Sequence, residues 1–198
     1  MQPVTPGTSD ARRTISIASV ALAAILVGAG LLLRWLTHHN QVPLFHSEHA
    51  LLRAGVGAAF GAVLASINAQ LVGRLGVFSR VRRLAHHAVE GIEPRWHTML
   101  VVALAAAFGE EIFFRGALDP VAGRWLTAVA FVAVHGALRI RDRNSLMFAV
   151  FLYAASIGLS ALNAWRGLEC AIAAHGAYDL AMLQWLARGA NTTRFRSH

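Results

Sequence analysis

The chain has no lysine, a single cysteine and few charged side chains of either sign. All 18 of its basic side chains are arginine, a bias of composition from which no chemistry follows. The lone Cys170 excludes an intramolecular disulfide and a cysteine-based zinc site, and its apolar surroundings predict a small packing residue. Charged residues make up 14% of the sequence, well below the about 25% of an average soluble domain. Apolar residues fill their place: 56% of the chain is hydrophobic, with charge-free runs over 15–33, 54–73 and 145–165. Each run is close to the ~20 residues that an α-helix needs to cross a bilayer. The expected fold is all-α: a polytopic transmembrane helical bundle.

Six membrane segments are expected, at about 14–36, 50–78, 96–118, 122–138, 145–164 and 167–188. A polar tail, 1–13, with Pro3, Pro6, Gly7 and Ser9, precedes one transmembrane domain over 14–188, and a polar tail, 189–198, follows it. The first run is too long for a signal peptide, and Arg34-Trp35 closes it in the manner of an interfacial anchor. The Arg- and His-bearing loop 79–95 is the longest connection and could lie as an amphipathic stretch on the membrane surface. Pro94 and Trp96 suit the start of the third segment, and Asp119-Pro120 is expected to end it, because proline cannot continue the helical ladder. Gly57-x-x-x-Gly61 predicts close helix packing in the second segment. Eleven of the 18 arginines fall on the tails and on loops 79–95 and 139–144, and Arg74 and Arg188 at the adjoining segment ends make thirteen on that side, which places both termini in the cytoplasm. The net charge of +8 follows this loop pattern, so it reads as topology and contact with anionic lipid, not as nucleic-acid binding.

Against that apolar background, a few ionisable residues are conspicuous. An ionised side chain at the centre of a membrane helix costs roughly 2.5–3.5 kcal/mol even on the lenient insertion scale. Yet Glu110 and Glu111 end one apolar run, His135 sits on the next, and His175 and Asp179 on the last. Glu111 and Arg115 are four apart, on one helix face, and can satisfy each other as an ion pair. Glu110 is turned about 100° away from that pair, free to face a polar cavity. Phe131 and His135, then His175 and Asp179, repeat the four-residue spacing. Each histidine is followed by Gly-Ala, small residues that let a backbone or a substrate approach.

A carboxylate base, two imidazoles and a further carboxyl in a water-excluding bundle suffice for acyl-transfer hydrolysis without a serine or cysteine nucleophile. Glu110 and His135 could deprotonate a water, with His175 and Asp179 stabilising the oxyanion. Alternatively Glu110, His135 and His175 could bind zinc, whose water attacks. Spacing leaves both mechanisms open. On the six-segment topology, Glu110 lies past the midpoint of its helix and His135 near the far end of the next. They meet only if the third segment starts late, tilts or breaks.

Together, Glu110-Glu111-x-x-x-Arg115, Phe131-x-x-x-His135 and His175-x-x-x-Asp179 resemble the three-motif signature of the CPBP (Abi) family. These are CAAX proteases and bacteriocin-processing or immunity proteins, intramembrane endopeptidases. The resemblance covers about 110–180, within a catalytic core over the last four segments, about 96–188. It implies that Glu110 and His135 activate water, that His175 and Asp179 hold the oxyanion, and that Glu111, Arg115 and Phe131 support them. The family's last motif position is Asn or Asp, here Asp179. The resemblance favours a glutamate-type protease with no cofactor over a zinc enzyme. It implies a membrane-anchored or lipidated substrate and a location in the inner membrane. Two rivals stand beside it: a proton-coupled transporter, weakened by the absence of a discernible inverted repeat, and a catalytically silent immunity or scaffold member.

Overall fold

The computed structural model describes residues 7–45, 48–75, 95–138 and 143–194. These form α1 (Gly7–Leu36), α2 (Ala50–Leu75), α3 (Trp96–Glu111), a π-helical segment (Ile112–Leu118), α4 (Asp119–Val134), α5 (Arg143–Arg166) and α6 (Leu168–Arg194), with a 3₁₀ turn at His39–Gln41. No strand occurs among the described residues. The loop 79–95, expected as a surface stretch, lies outside the described residues except for Arg95. α1 starts at Gly7, inside the expected tail, and α6 runs on to Arg194, inside the other.

Among the described residues, four helical runs are long and apolar enough to cross a membrane: Thr14–Leu36, Ala50–Gln70, Trp96–Val134 and Ser145–Arg166. Their outward faces suit lipid. α1 alone exposes Ile17, Val20, Leu22, Ile25, Leu31 and Leu32, a surface that is ordinary only where the solvent is as apolar as the side chains. The third and fourth expected segments merge into the one run 96–134. α6 falls short of the apolar requirement because it carries Glu169, His175, Asp179 and Gln184.

Asp119-Pro120 does not end the third segment; the chain stays helical through it and breaks at Gly123. Proline 120 has no N–H, so it cannot donate to the carbonyl four residues back, at Gly116, or five back, at Arg115. In an apolar medium such orphans are costly. Other helices supply the donors. Arg34 Nη1 donates to the Gly116 carbonyl at 2.6 Å, and Asn163 Nδ2 reaches the Arg115 carbonyl at 3.5 Å. The ladder passes the proline by widening into the π segment. Reversal waits for Gly123, whose φ of 78° and ψ of 154° lie in a region essentially reserved for glycine.

This corrects the reading of Arg34 as an interfacial anchor. Its neighbour Trp35 is exposed, but Arg34 is buried. It also donates to the carbonyls of His39, at 2.7 Å, and Val42, tying the α1 exit to the π segment. Arg34→Ala is therefore expected to lower the melting temperature in detergent, since a hydrogen bond from a charged donor contributes about 1.5–3 kcal/mol. Arg34→Lys, a single donor group in place of a fork, should recover only part of the loss. A melting curve for Arg34→Ala that overlays the wild type would remove the clamp from this account.

α2 lies along α6, and its glycines are the reason it can. A Cβ on Gly57 would stand 2.1 Å from the Cys170 carbonyl oxygen, and one on Gly61 would stand 2.0 Å from that of Ala174. The Gly-x-x-x-Gly motif thus does what it predicts. Cys170 is fully buried in this seam, a packing residue as expected.

Candidate active site

The break at Gly123 folds the run 96–134 into a hairpin that fixes the site. In a straight helix Glu110 and His135 would be about 37 Å apart. Here His135 Nε2 and Glu110 Oε2 are 3.7 Å apart. The Phe114 and Phe131 rings meet edge-on at 5.2 Å. Both pairs are centred on positions 122–123, as antiparallel arms turning at Gly123 require. The third segment neither starts late nor breaks within 96–118; it runs on as helix to the turn at Gly123, and the shortened return arm brings the imidazole level with the carboxylate.

His135 stands where α4 ends. Gly136, with φ 69°, follows it; the Gly136 N–H donates to the Ala133 carbonyl and the Ala137 N–H to that of Val132. That is a Schellman cap. The glycine after His135 therefore turns the chain out of the helix, a role different from the close approach expected of it. Gly176, after His175, is mid-helix, and a Cβ there would make only ordinary contact with Ala107, at 3.5 Å, so its packing does not require a glycine. The Nδ1–H of His135 donates to the Phe131 carbonyl at 2.8 Å, and its ring stacks on Phe131 at 4.3 Å. A carbonyl only accepts, so the proton sits on Nδ1 and Nε2 faces Glu110 as the nitrogen available to take one.

Glu111 is sealed inside. Its Oε1 accepts from Arg115 Nη1 at 3.1 Å and from His175 Nδ1 at 2.7 Å. The shorter bond is the one that spacing could not reveal, because it joins α3 to α6. Arg115 Nη2 donates to both the carbonyl, at 3.1 Å, and the hydroxyl, at 2.8 Å, of Ser156 on α5, and its guanidinium lies 4.9 Å from the Phe131 ring centre. The pair is thus a three-helix junction as well as an ion pair. His175 Nε2 lies 3.5 Å from Asp179 Oδ2. Carboxylates only accept, so His175 satisfies both neighbours when it donates from both nitrogens.

The polar groups grade outward. The Glu111 and Arg115 side chains are 0% exposed and that of His175 is 8%, while Glu110 is 17%, Asp179 27% and His135 33% exposed. Glu110 lies within electrostatic reach of His135, His175, Asp179 and Glu111. Every residue singled out in the three motifs therefore falls in one cluster, lined on one side by Phe131. Sequence reasoning missed Ser156 and Arg34. A serine on an apolar helix carries no signal to distinguish it from Ser160, and the arginine's charge pointed to the membrane surface.

No three of the described His, Cys, Asp and Glu residues are gathered to hold a metal ion. His175 has both nitrogens turned to carboxylates and His135 has one on a carbonyl. The arrangement can position a water between Glu110 and His135, beside a hydrogen-bond donor from His175.

Residues 92–181 match the family model described as type II CAAX prenyl endopeptidase, Rce1-like. No curated protein and no solved structure matches the chain. The matched stretch holds all three motifs and every side chain of the cluster, Ser156 included. Residues 92–181 of this helical membrane chain are therefore similar to the Rce1-like type II CAAX prenyl endopeptidases, a match consistent with the CPBP/CAAX protease family.

Proposed function

We propose that the chain is an intramembrane endopeptidase that hydrolyses a peptide bond in a lipidated or membrane-anchored substrate by a glutamate-type mechanism. The observation that carries this reading is the 3.7 Å approach of Glu110 to His135 Nε2, with its partner nitrogen already committed to Phe131. A water held by the two is deprotonated as its oxygen attacks the scissile carbonyl carbon. The proton passes through Glu110 to the leaving amide nitrogen as the C–N bond breaks. The developing oxyanion accepts from His175 Nε2–H, which Asp179 orients at that nitrogen and Glu111 from the other side of the ring. Arg115 balances Glu111 and is itself held by Ser156. Phe131 positions the His135 ring. Val134 and Leu138, exposed beside His135, offer apolar surface to a lipidated substrate.

In this reading the hairpin counts as two of six membrane segments, one full-length and one half-length, and α6 is the sixth. The return arm, 124–134, is about 16 Å long, half the ~30 Å hydrocarbon core, which brings His135 near the midplane. The arginine distribution puts both termini in the cytoplasm of the inner membrane.

The test is cleavage of a farnesylated peptide with a free C-terminus, in detergent micelles, before and after chelation. Wild type is expected to cut with or without the chelator, and His135→Ala to lose roughly a hundred- to ten-thousand-fold. Activity that vanishes on chelation and returns with zinc would replace the glutamate mechanism by a metal one. A wild type that cuts neither this peptide nor a membrane-anchored one would leave the silent scaffold.

A further inference from the structure

A second polar site lies at the other end of Arg115, away from the catalytic cluster. It is a pocket of about 290 Å³ at the hairpin apex, lined by Arg115, Asp119, Gly123, Arg124, Ser160 and Asn163, among others. Three of its polar groups lack a hydrogen-bond partner among the described residues: Arg115 Nε, Asp119 Oδ1 and the Ser160 hydroxyl. Arg115 is 1% exposed and Ser160 4%. Asp119 stands close to the Ser160 and Thr127 hydroxyls, yet neither hydroxyl reaches hydrogen-bonding geometry. Buried polar groups left this way are rare and call for a ligand or water.

The pocket's level in the membrane is marked independently. Trp35, Trp125 and Trp165 are all exposed. Trp125 follows Arg124 of the pocket, and Trp165 is two residues beyond Asn163. Trp35 adjoins Arg34, which holds the Gly116 carbonyl one turn from Asp119. Exposed tryptophans beside arginines form the belt at which polar headgroups begin. A polar pocket at that depth meets headgroups, not acyl chains.

Its charges specify which headgroup. Arg124 and Arg115 Nε offer donors suited to a phosphate, Arg by its fork geometry above all. Asp119 would repel an isolated anion but accepts from an ammonium, as do the Ser160 hydroxyl and the Asn163 amide oxygen. With Arg115 neutralised by Glu111, Arg124 and Asp119 leave one charge of each sign at the pocket, which matches a group bearing both signs. We propose that the apex pocket binds a phosphoethanolamine-type headgroup, with the phosphodiester on Arg124 and Arg115 Nε and the primary ammonium on Asp119. This is a binding site separate from the proposed proteolysis, and its test does not read cleavage.

The test is native mass spectrometry of the full chain in mild detergent, titrated with short-chain phosphatidylethanolamine, phosphatidylcholine and phosphatidylglycerol. The aminophospholipid is expected to bind at least about tenfold tighter than the other two, since charge-assisted hydrogen bonds are at stake. Arg124→Gln should weaken it roughly tenfold. Asp119→Asn should remove its advantage over phosphatidylglycerol, and Arg166→Gln, exposed on the same face but outside the pocket, should change neither. Competition by glycerophosphoethanolamine would assign recognition to the headgroup from any source, and its failure to compete would assign it to the intact lipid; the proposed chemistry stands in both cases. Equal binding of the three lipids, preference for phosphatidylglycerol, or indifference to both pocket variants overturns it.

Discussion

Glu110→Gln is expected to abolish most turnover, lowering kcat roughly a hundred- to ten-thousand-fold, while leaving the melting temperature and KM close to wild type. The separation follows from where the two adjacent glutamates point. Glu111 is sealed and bonded to Arg115 and His175, so the fold depends on its charge. Glu110 Oε2 has no hydrogen-bond partner among the described residues, and it lies 3.7 Å from His135 Nε2. An amide of the same shape therefore removes no contact that stabilises the protein. What it removes is a group able to take a proton from water, and the loss of one positioned base typically costs that range in rate. Because substrate binding does not use this proton transfer, kcat falls and KM stays. The measurement is steady-state cleavage beside thermal unfolding of the same preparations. A Glu110→Gln variant that cuts at the wild-type rate would falsify the role of Glu110 as base. A variant that melts early would instead make Glu110 a structural residue.

The polar cluster was legible in the sequence because each motif combines a charge that membrane helices avoid with a four-residue spacing that fixes its face. Residues Glu110, His135, His175 and Asp179 could be named from that combination alone. The route that brings them together could not. Pro120 is the stronger break signal in isolation, and it suggested a turn at Asp119. The structure defers the turn to Gly123, because Arg34 and Asn163, distant in sequence, take over the carbonyls that Pro120 leaves unpaired. Local rules see the missing donor and not its replacement. The Glu111–His175 bond was hidden for the same reason: residues 64 positions apart show no periodicity. The bond changes the part Glu111 plays, from a counter-charge for Arg115 alone to the group that orients the imidazole. The two His-Gly-Ala repeats look alike in sequence and differ in structure, since one closes a helix and the other lies within one.

The second large effect is expected far from any charge. Gly61→Ala should destabilise the protein by roughly 1–3 kcal/mol or more, the usual range for overpacking, and should also cut activity about a hundredfold. A methyl group at position 61 would stand 2.0 Å from the Ala174 carbonyl oxygen, a distance no real contact tolerates, and the obstacle is backbone that cannot rotate away. α2 and α6 must therefore move apart. Ala174 immediately precedes His175, so the displacement is delivered to the imidazole that Glu111 holds at 2.7 Å. The same seam reaches Asp179 through its neighbour Tyr178, whose hydroxyl accepts from Asn68 of α2 at 2.7 Å. A shift of about 1 Å in a catalytic group can cost a hundredfold in rate. Gly55→Ala is the control within the same helix. Nothing lies within 4 Å of its added methyl, and replacing glycine inside a helix should stabilise by roughly 0.5–1 kcal/mol. If both variants melt and cut alike, the helices are not in backbone contact at Gly61. If Gly61→Ala melts early but retains its rate, the seam holds the bundle together without positioning His175. Loss of both, against a neutral or stabilised Gly55→Ala, means that the small residues of α2 set the geometry of a site to which they contribute no chemistry.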